Sequence, residues 1–346
     1  MSTPSRPSLV RHWLALAEEL VGRAAPRLDA LNLFPVPDAD TGTNMLATLT
    51  AARTAADACP AQDDAGAVLA HAGAAALDSA RGNSGMLLAV SLAGMAEPLR
   101  GRERVDAFAL AAAFGAADRA ARQALSDPRE GTILTVLSAA ARSLARSSTQ
   151  APDTPAVAGD ADPAVRLGPA VTLMLADCVQ AVEETESLLA PLTRAHVVDA
   201  GAVGLLWVFE ALRSVVTGTP VDEELATALP GYVEGAHAAE GESVAEAEAP
   251  AEGAVEVMGT LALTPLAAAE LRRRLADVGD AVILAPVGTA RDGQGRVPWR
   301  VHVHVPRAED AIGPLRAAGD VEGLAVTDLA EPSHGDDAAP DGCHGR

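Results

Sequence analysis

Two aspartates one residue apart, Asp38 and Asp40, stand in the stretch NLFPVPDADTGTNM at residues 32–45. The prolines before them fix the approach of the backbone, and Gly42 permits a sharp bend. The pair is therefore expected on a stiff loop, not on a helix face. Carboxylate oxygens are hard donors, and two at this spacing can converge on Mg²⁺, which keeps waters for substrate phosphates to displace. Asn32 adds an amide oxygen to the set. Asp and Asn also supply Asx-turns and helix caps, here to a helix expected to start near Met45. Spacing alone leaves both readings open.

Three further segments carry glycine at a helix entrance. ARGNSGM (80–86) is a turn with Ser84 as a candidate cap; free N–H groups at such a start attract phosphate. PREGTILTV (128–136) puts Thr132 at another entrance, and VVDAGAVGLL (197–206) offers Asp199 as a cap beside Gly201 and Gly204. Each alone also reads as an ordinary helix connection. Gathered at one end of a bundle, the four would cradle nucleotide phosphates. In RVHVHV (300–305) the strand period puts His302 and His304 on one face. With a carboxylate from a neighbouring strand they form a three-ligand zinc site with an open position. The other reading is a solvent-facing pair on a half-buried sheet.

Helical elements must position the first four segments. Apolar residues recur at helical spacing over 8–22, 45–57, 64–79, 84–97, 106–125, 132–145, 166–181 and 201–214. This predicts a mainly α domain of eight helices over residues 1–218, with a mobile surface loop at 147–163. Residues 219–253 are rich in Ala, Glu, Gly and Pro and read as an acidic flexible linker. Over 254–330 the rhythm changes to strand, helix, two strands, helix, strand, the βαββαβ order of a small ferredoxin-like α+β domain. Residues 331–346 read as a disordered tail.

The chain of 346 residues is 49% hydrophobic and only 2% aromatic, so its core is expected to be closely packed Ala, Leu and Val. A formal net charge of −21 argues against nucleic acid or an anionic membrane as partner. No lysine occurs, which excludes a Walker-type P-loop and Schiff-base chemistry. Cys59, Cys178 and Cys343 are odd in number and widely spaced, as in a reducing compartment. The N-terminal segment turns amphipathic with Glu18 and Glu19 inside it, unlike a signal peptide. No apolar run has the length of an integral membrane span, and a cytoplasmic location is expected. His12 and His71 in helical patterns, and Cys178 in an apolar one, read as structural.

On these motifs, residues 1–218 resemble the nucleotide-binding domain shared by the L subunit of dihydroxyacetone kinase (DhaL) and the catalytic subunit of bacterial fatty acid kinase, and are closer to the latter. The resemblance is carried by Asn32 to Asp38, Asp40 to Met45, Ala80 to Gly85, Glu130 to Val136 and Val198 to Gly201. It implies a barrel of eight antiparallel helices that holds ATP and Mg²⁺ at one end. It implies Asp38 and Asp40 as ligands of two Mg²⁺ ions and as catalytic residues, with Asn32 as a weaker, neutral ligand. Thr41, Gly42, Thr43, Asn44, Asn83, Ser84 and Gly85 then fall around the phosphates, Thr132 and Ile133 near the base, Asp199 and Gly201 near the ribose.

Ala39 departs from the family's usual glycine between the aspartates, and GAVG at 201–204 replaces a more usual Gly-Gly-Gln-Gly. The second domain resembles the middle domain of the same kinase subunits, whose His-x-His strand many of them join to a cysteine in a zinc site. Glu256 stands nearest to that cysteine, so Glu256, His302 and His304 are the candidate Zn²⁺ ligands, and both histidines are candidates for work at the acceptor. The implied activity is transfer of the ATP γ-phosphoryl group to a fatty acid carboxylate, giving acyl phosphate. A separate fatty-acid-binding protein of the DegV type would present the substrate, and a homodimer is a candidate assembly. Full-length relatives continue into a third domain that this sequence does not enter. The alternatives are a dihydroxyacetone (glycerone) kinase-type subunit and a non-catalytic MgATP-binding regulator.

Overall fold

A computed structural model describes residues 6–102, 105–149, 163–232 and 253–329. Ten helices precede the first strand among the described residues: α1 (Arg6–Leu31), α2 (Thr41–Ala58), α3 (Ala65–Ser79), α4 (Gly82–Gly94), α5 (Ala96–Leu99), α6 (Ala107–Ala124), α7 (Ile133–Thr149), α8 (Pro163–Leu188), α9 (Ala190–Ala195) and α10 (Ala200–Thr217). The short α5 and α9 apart, eight long helices remain. Each packs on the next, α1 on α2, then α3, α4, α6, α7, α8 and α10, and α10 packs back on α1. The ring is closed, as the expected eight-helix barrel requires.

Successive neighbours in such a ring run antiparallel, so α2, α4, α7 and α10 all begin at one end. Ala, Leu and Val fill the interior, with Leu14, Leu28, Met45, Leu49, Leu69 and Phe114 fully buried. Cys178 is buried among them. The Trp13 indole N–H donates to the Val208 carbonyl at 2.8 Å, tying α1 to α10 where the ring closes. Helix α10 is the one described helix long and apolar enough to cross a membrane, and its apolar surface is mostly buried in this core.

Several boundaries differ from the sequence expectation. Helix α1 runs on through Pro26 to Leu31 rather than ending near residue 22, because its far end is buried by the ring at Ala24, Leu28 and Leu31. Helix α2 starts at Thr41, not Met45. Helix α7 extends to Thr149, into the stretch read as loop; residues 150–162 lie outside the described residues.

The larger correction concerns 219–232, read from composition as the beginning of a flexible linker. It is packed on the barrel. Ala226, Leu229 and Tyr232 are buried, and the Tyr232 hydroxyl accepts from the Trp207 indole at 3.1 Å. Fully buried Glu210 pairs with Arg213 at 2.6 Å and accepts the Asp222 N–H at 2.7 Å. Arg213 in turn reaches the Pro220 carbonyl at 2.6 Å. A few apolar anchors and one buried ion pair thus hold a segment whose average composition is linker-like. The rest of that linker (233–252) and the tail (331–346) lie outside the described residues.

The second domain has the expected order: β1 (Val255–Leu263), α11 (Pro265–Ala276), β2 (Asp280–Pro286), β3 (Val297–Val305), α12 (Ala308–Ala318) and β4 (Val321–Asp328). The sheet order is β2-β3-β1-β4, antiparallel throughout, as in ferredoxin-like domains. Alternation sorts its two faces. Val257, Val301, Val303 and Val305 pack with α11 and α12. Met258, Ile283 and Ala285 point the other way and join the barrel's own hydrophobic core. The Ser126 N–H donates to the Val282 carbonyl at 3.0 Å, so backbone also bridges barrel and sheet. Both faces of the sheet are therefore covered, and the His-bearing face is the one turned to the barrel.

Candidate functional site

The carboxylate loop runs from the end of α1 into α2. Asp40 occupies the N-cap position of α2, but its side chain makes no capping hydrogen bond. That task falls to Asp29, whose Oδ1 accepts from Gly42 N at 2.6 Å and Thr43 N at 3.0 Å while Oδ2 accepts from the Thr43 hydroxyl at 2.8 Å. The capping reading of the aspartate pair is thus displaced by a residue upstream, and Asp38 and Asp40 are left to face a cleft. Ala39 between them adopts φ 55°, the left-handed conformation that glycine takes without cost. This explains why a glycine suits that position and how the two carboxyls turn to the same side.

Their environment is dominated by burial and by each other. Asp38 accepts a hydrogen bond from the Asn32 amide and shares one with Asp40. Burial, then the Asp38 charge, pushes Asp40 up to about 8, and Glu256 adds to the repulsion. Asp38 is also raised, first by burial. Two carboxylates and an amide oxygen form a hard-donor set of the kind Mg²⁺ selects, and a divalent cation would relieve the repulsion.

The other helix starts close around this pair. A methyl group on Gly82, whose φ is +59°, would stand 2.6 Å from the Asn44 amide, so α4 begins hard against α2. A methyl on Gly201 would stand 2.8 Å from the Ser84 hydroxyl, so α10 begins hard against α4. Asp199 caps α10 through Ala202 N at 2.8 Å and also accepts the Ile133 N–H at the start of α7. Four glycine-bearing entrances therefore meet at one end of the barrel.

The sheet covers that end. Glu256 on β1 lies opposite His304 on β3, and Met258 lies opposite His302. Glu256 Oε1 is 2.9 Å from His302 Nδ1 and accepts the Gly82 N–H at 3.0 Å. A carboxylate from the second domain thus occupies the first N–H of α4, a place suited to an anion. Both histidines are buried, with rings 4.8 Å apart, which overturns the solvent-facing reading of the pair. Ligand atoms of Glu256, His302 and His304 all lie within 4.8 Å of one another. Burial tends to raise the Glu256 carboxyl, but His302, His304 and the Gly82 N–H outweigh it and hold it at about 2. His304 is pushed down to about 3 by burial and by His302. Nε2 of His302 and Nδ1 of His304 have no hydrogen-bond partner, and Nδ1 of His302 meets the Glu256 carboxylate. Buried nitrogens so placed suit a metal ion, and the N,N,O donor set with one open position is within the zinc repertoire.

One narrow cleft, about 40 Å³ in volume, is lined by Asn32, Asp38, Asp40, Thr41, Asn44, Asn83 and Ser84 of the barrel and by Glu256 and His304 of the sheet. The remaining expected site residues stand elsewhere. Gly42 faces α1: a methyl there would meet the Ala25 carbonyl oxygen at 2.4 Å, so its role is close helix packing. Thr43 is exposed and bound to Asp29. Gly85 packs on Thr48 and Asn44. Thr132 binds the Arg129 carbonyl at 2.9 Å, while Ile133, Asp199 and Gly201 form the buried layer behind the cleft wall. His302 is fully buried behind Glu256.

Sequence reasoning did not assign Gly82, Asp29 or the wall made by Thr327, Asp328 and Leu329 at the end of β4. Asp29 was detectable in principle as a carboxylate one helical turn before the loop. The β4 wall was not, because only docking of the sheet brings it there.

Comparison with known proteins agrees with this architecture. The DAK2 domain family model matches residues 35–214. Protein YloV of Bacillus subtilis is 33% identical over 211 residues, 61% of this chain and 35% of that protein. An uncharacterized protein of Staphylococcus haemolyticus is 32% identical over 198 residues, 57% of this chain and 33% of its own length. The matched region thus spans about a third of these relatives. With the glycine-bearing helix starts ringed about the paired aspartates and the family model covering more than half of the sequence, the chain belongs to the DAK2 domain family.

Proposed function

We propose that this protein binds MgATP at the carboxylate cleft and transfers the γ-phosphoryl group to a fatty acid carboxylate presented by a separate fatty-acid-binding protein, forming acyl phosphate. The observation that carries the reading is the convergence of Asp38 and Asp40, free of any capping duty, with the starts of α2 and α4 in one cleft. Phosphoryl transfer depends on positioning and charge neutralisation more than on covalent catalysis, and this cleft offers both without a lysine.

Asp38, Asp40 and the Asn32 amide would hold Mg²⁺, which when bound neutralises charge on the phosphate oxygens. Thr41, Asn44, Asn83 and Ser84 supply hydroxyl and amide groups along the cleft wall. The Gly82 N–H is available to a phosphate once Glu256 leaves it. His304 reaches the cleft from above, and Arg300, half-buried on the same sheet face, carries a guanidinium Nε with no partner. In this reading His304, and Arg300 after a shift of its side chain, would meet the acceptor carboxylate. Glu256, His302 and His304 would hold Zn²⁺ and thereby fix the sheet over the nucleotide.

Incubating the chain with MgATP, oleate and a loaded fatty-acid-binding protein tests the reading. Acyl phosphate that forms with the unaltered chain and drops at least 100-fold in Asp38→Ala is the expected result. Magnesium-independent nucleotide affinity, or affinity unchanged in Asp38→Ala, overturns it. Nucleotide binding without turnover would instead mark a regulatory MgATP-binding protein.

A further inference from the structure

A second cavity lies between barrel and sheet, away from the carboxylate cleft. Ala70 and Ala74 of α3 with Ala93 and Gly94 of α4, all half-buried on the barrel, line a cavity of about 710 Å³. Leu284, Ala285 and Trp299 of the second domain line its other side, and it is open to solvent. Its lining is mainly apolar, and its volume falls in the range of sites that enclose small ligands.

The charged groups at its edge run against the character of the whole chain. In a protein of net charge −21, the ionisable residues lining this chamber are Arg100, Arg122, Arg272 and a single carboxylate, Glu97. Arg122 is engaged by Asp118 and Glu130, and Arg100 by Glu97. Half-buried Arg272 donates to the Gln123 carbonyl and has no carboxylate partner among the described residues. A mostly apolar chamber with an uncompensated guanidinium at its rim fits a ligand with a hydrocarbon body and one negative end. A nucleotide would leave most of its polar groups unpaired there.

We infer that this chamber binds a single-chain amphiphile with an anionic head, the tail between α3, α4 and the sheet and the head at Arg272. It is separate from the carboxylate cleft. Helix α4 spans both, Gly82 at one and Gly94 at the other, which places them about 18 Å apart along the helix. The inference does not depend on phosphoryl transfer.

Titration of the purified, delipidated full-length chain with cis-parinarate, in the absence of nucleotide, tests it. Saturable fluorescence enhancement that oleate displaces is expected. Oleyl alcohol should displace it roughly 10-fold less well, since it lacks the charge. Lysophosphatidate distinguishes the head group: tighter binding than oleate assigns a phosphate ester, weaker binding a carboxylate, and either supports an anionic site. Ala74→Phe, which fills the chamber, should weaken oleate at least 10-fold. Arg272→Ala should weaken oleate about 3- to 10-fold and leave oleyl alcohol unchanged. Asp38→Ala should bind oleate normally, which separates this result from failure of the kinase reading. Absence of saturable binding, equal affinity for oleate and oleyl alcohol, or full affinity in a folded Arg272→Ala protein would overturn the assignment. Arg272 is half-buried and outside the hydrophobic core of α11, so that variant remains decisive if Ala74→Phe fails to fold.

Discussion

Asp40 stands at the N-cap position of α2 yet caps nothing, because Asp29 already holds the N–H groups of Gly42 and Thr43. Its carboxyl is left buried beside Asp38 and is pushed up to about 8 by burial and by that neighbour. An Asp40→Asn protein keeps the shape and removes the repulsion. Without metal it should be as stable as the parent or stabler, by up to ~1 kcal/mol, and the rise in melting temperature that the proposed function expects from MgATP should be absent. Differential scanning fluorimetry with and without MgATP reads both. Asp199 gives a pH dependence of definite sign. Burial raises it to about 7 against the opposing N–H bonds of Ala202, Ile133 and Gly201. Between about 4 and 7 the folded chain therefore holds a proton that the unfolded chain has released. Its stabilising contribution is complete below pH 4 and is lost as pH rises through 7. Urea unfolding should show the parent losing roughly 2–3 kcal/mol between pH 5 and 8 relative to Asp199→Asn.

Helix starts are the working elements of this fold, and two glycines with similar surroundings in sequence serve different ends there. Gly82 lets α4 open against Asn44 inside the cleft, whereas Gly42 faces α1 and permits the close α1–α2 crossing. Gly42→Ala should cost at least 2 kcal/mol of stability without a selective loss of nucleotide affinity, as denaturant titration and calorimetry would show. A direct phosphate contact at Gly42 would give the opposite pattern. The start of α4 is occupied by Glu256 from the sheet. Glu256→Gln removes the charge that complements both this helix start and His302. The contact between sheet and barrel should weaken by about 1–2 kcal/mol, and Mg-nucleotide affinity should rise severalfold. Trp299, which lines the cavity between the second domain and the barrel, reports the first effect by its fluorescence. If both quantities stay unchanged, Glu256 does not compete with the nucleotide for α4.

On the scale of the whole molecule, the barrel and the sheet share a core through Met258, Ile283 and Ala285. The sheet therefore acts as the roof of the carboxylate cleft, and the segment 219–232 forms part of the barrel wall. Leu229 is buried in that wall. Leu229→Ala should destabilise the full chain by 2–4 kcal/mol, in the range of core truncations, where a leucine in a free linker would cost almost nothing. Thermal unfolding of the variant decides between the two.

The sequence alone determined the local chemistry and the periodicities. The eight long helices, the βαββαβ order, the paired aspartates and the two histidines on one strand face all follow from residue type and spacing, because 3.6- and 2-residue repeats are local properties. The motif spacing also marked the four helix entrances. Tertiary structure decided which polar groups were already spoken for. Asp29 took over the cap that Asp40 could have provided, Gly42 and Thr43 turned from the cleft, and the apolar anchors of 219–232 overrode a linker-like composition. It also buried the histidines, brought Glu256 from 174 residues away onto Gly82, and opened the arginine-rimmed chamber. These outcomes depend on how two surfaces meet, and burial and hydrogen-bond competition at such a meeting are settled only when distant segments are in contact.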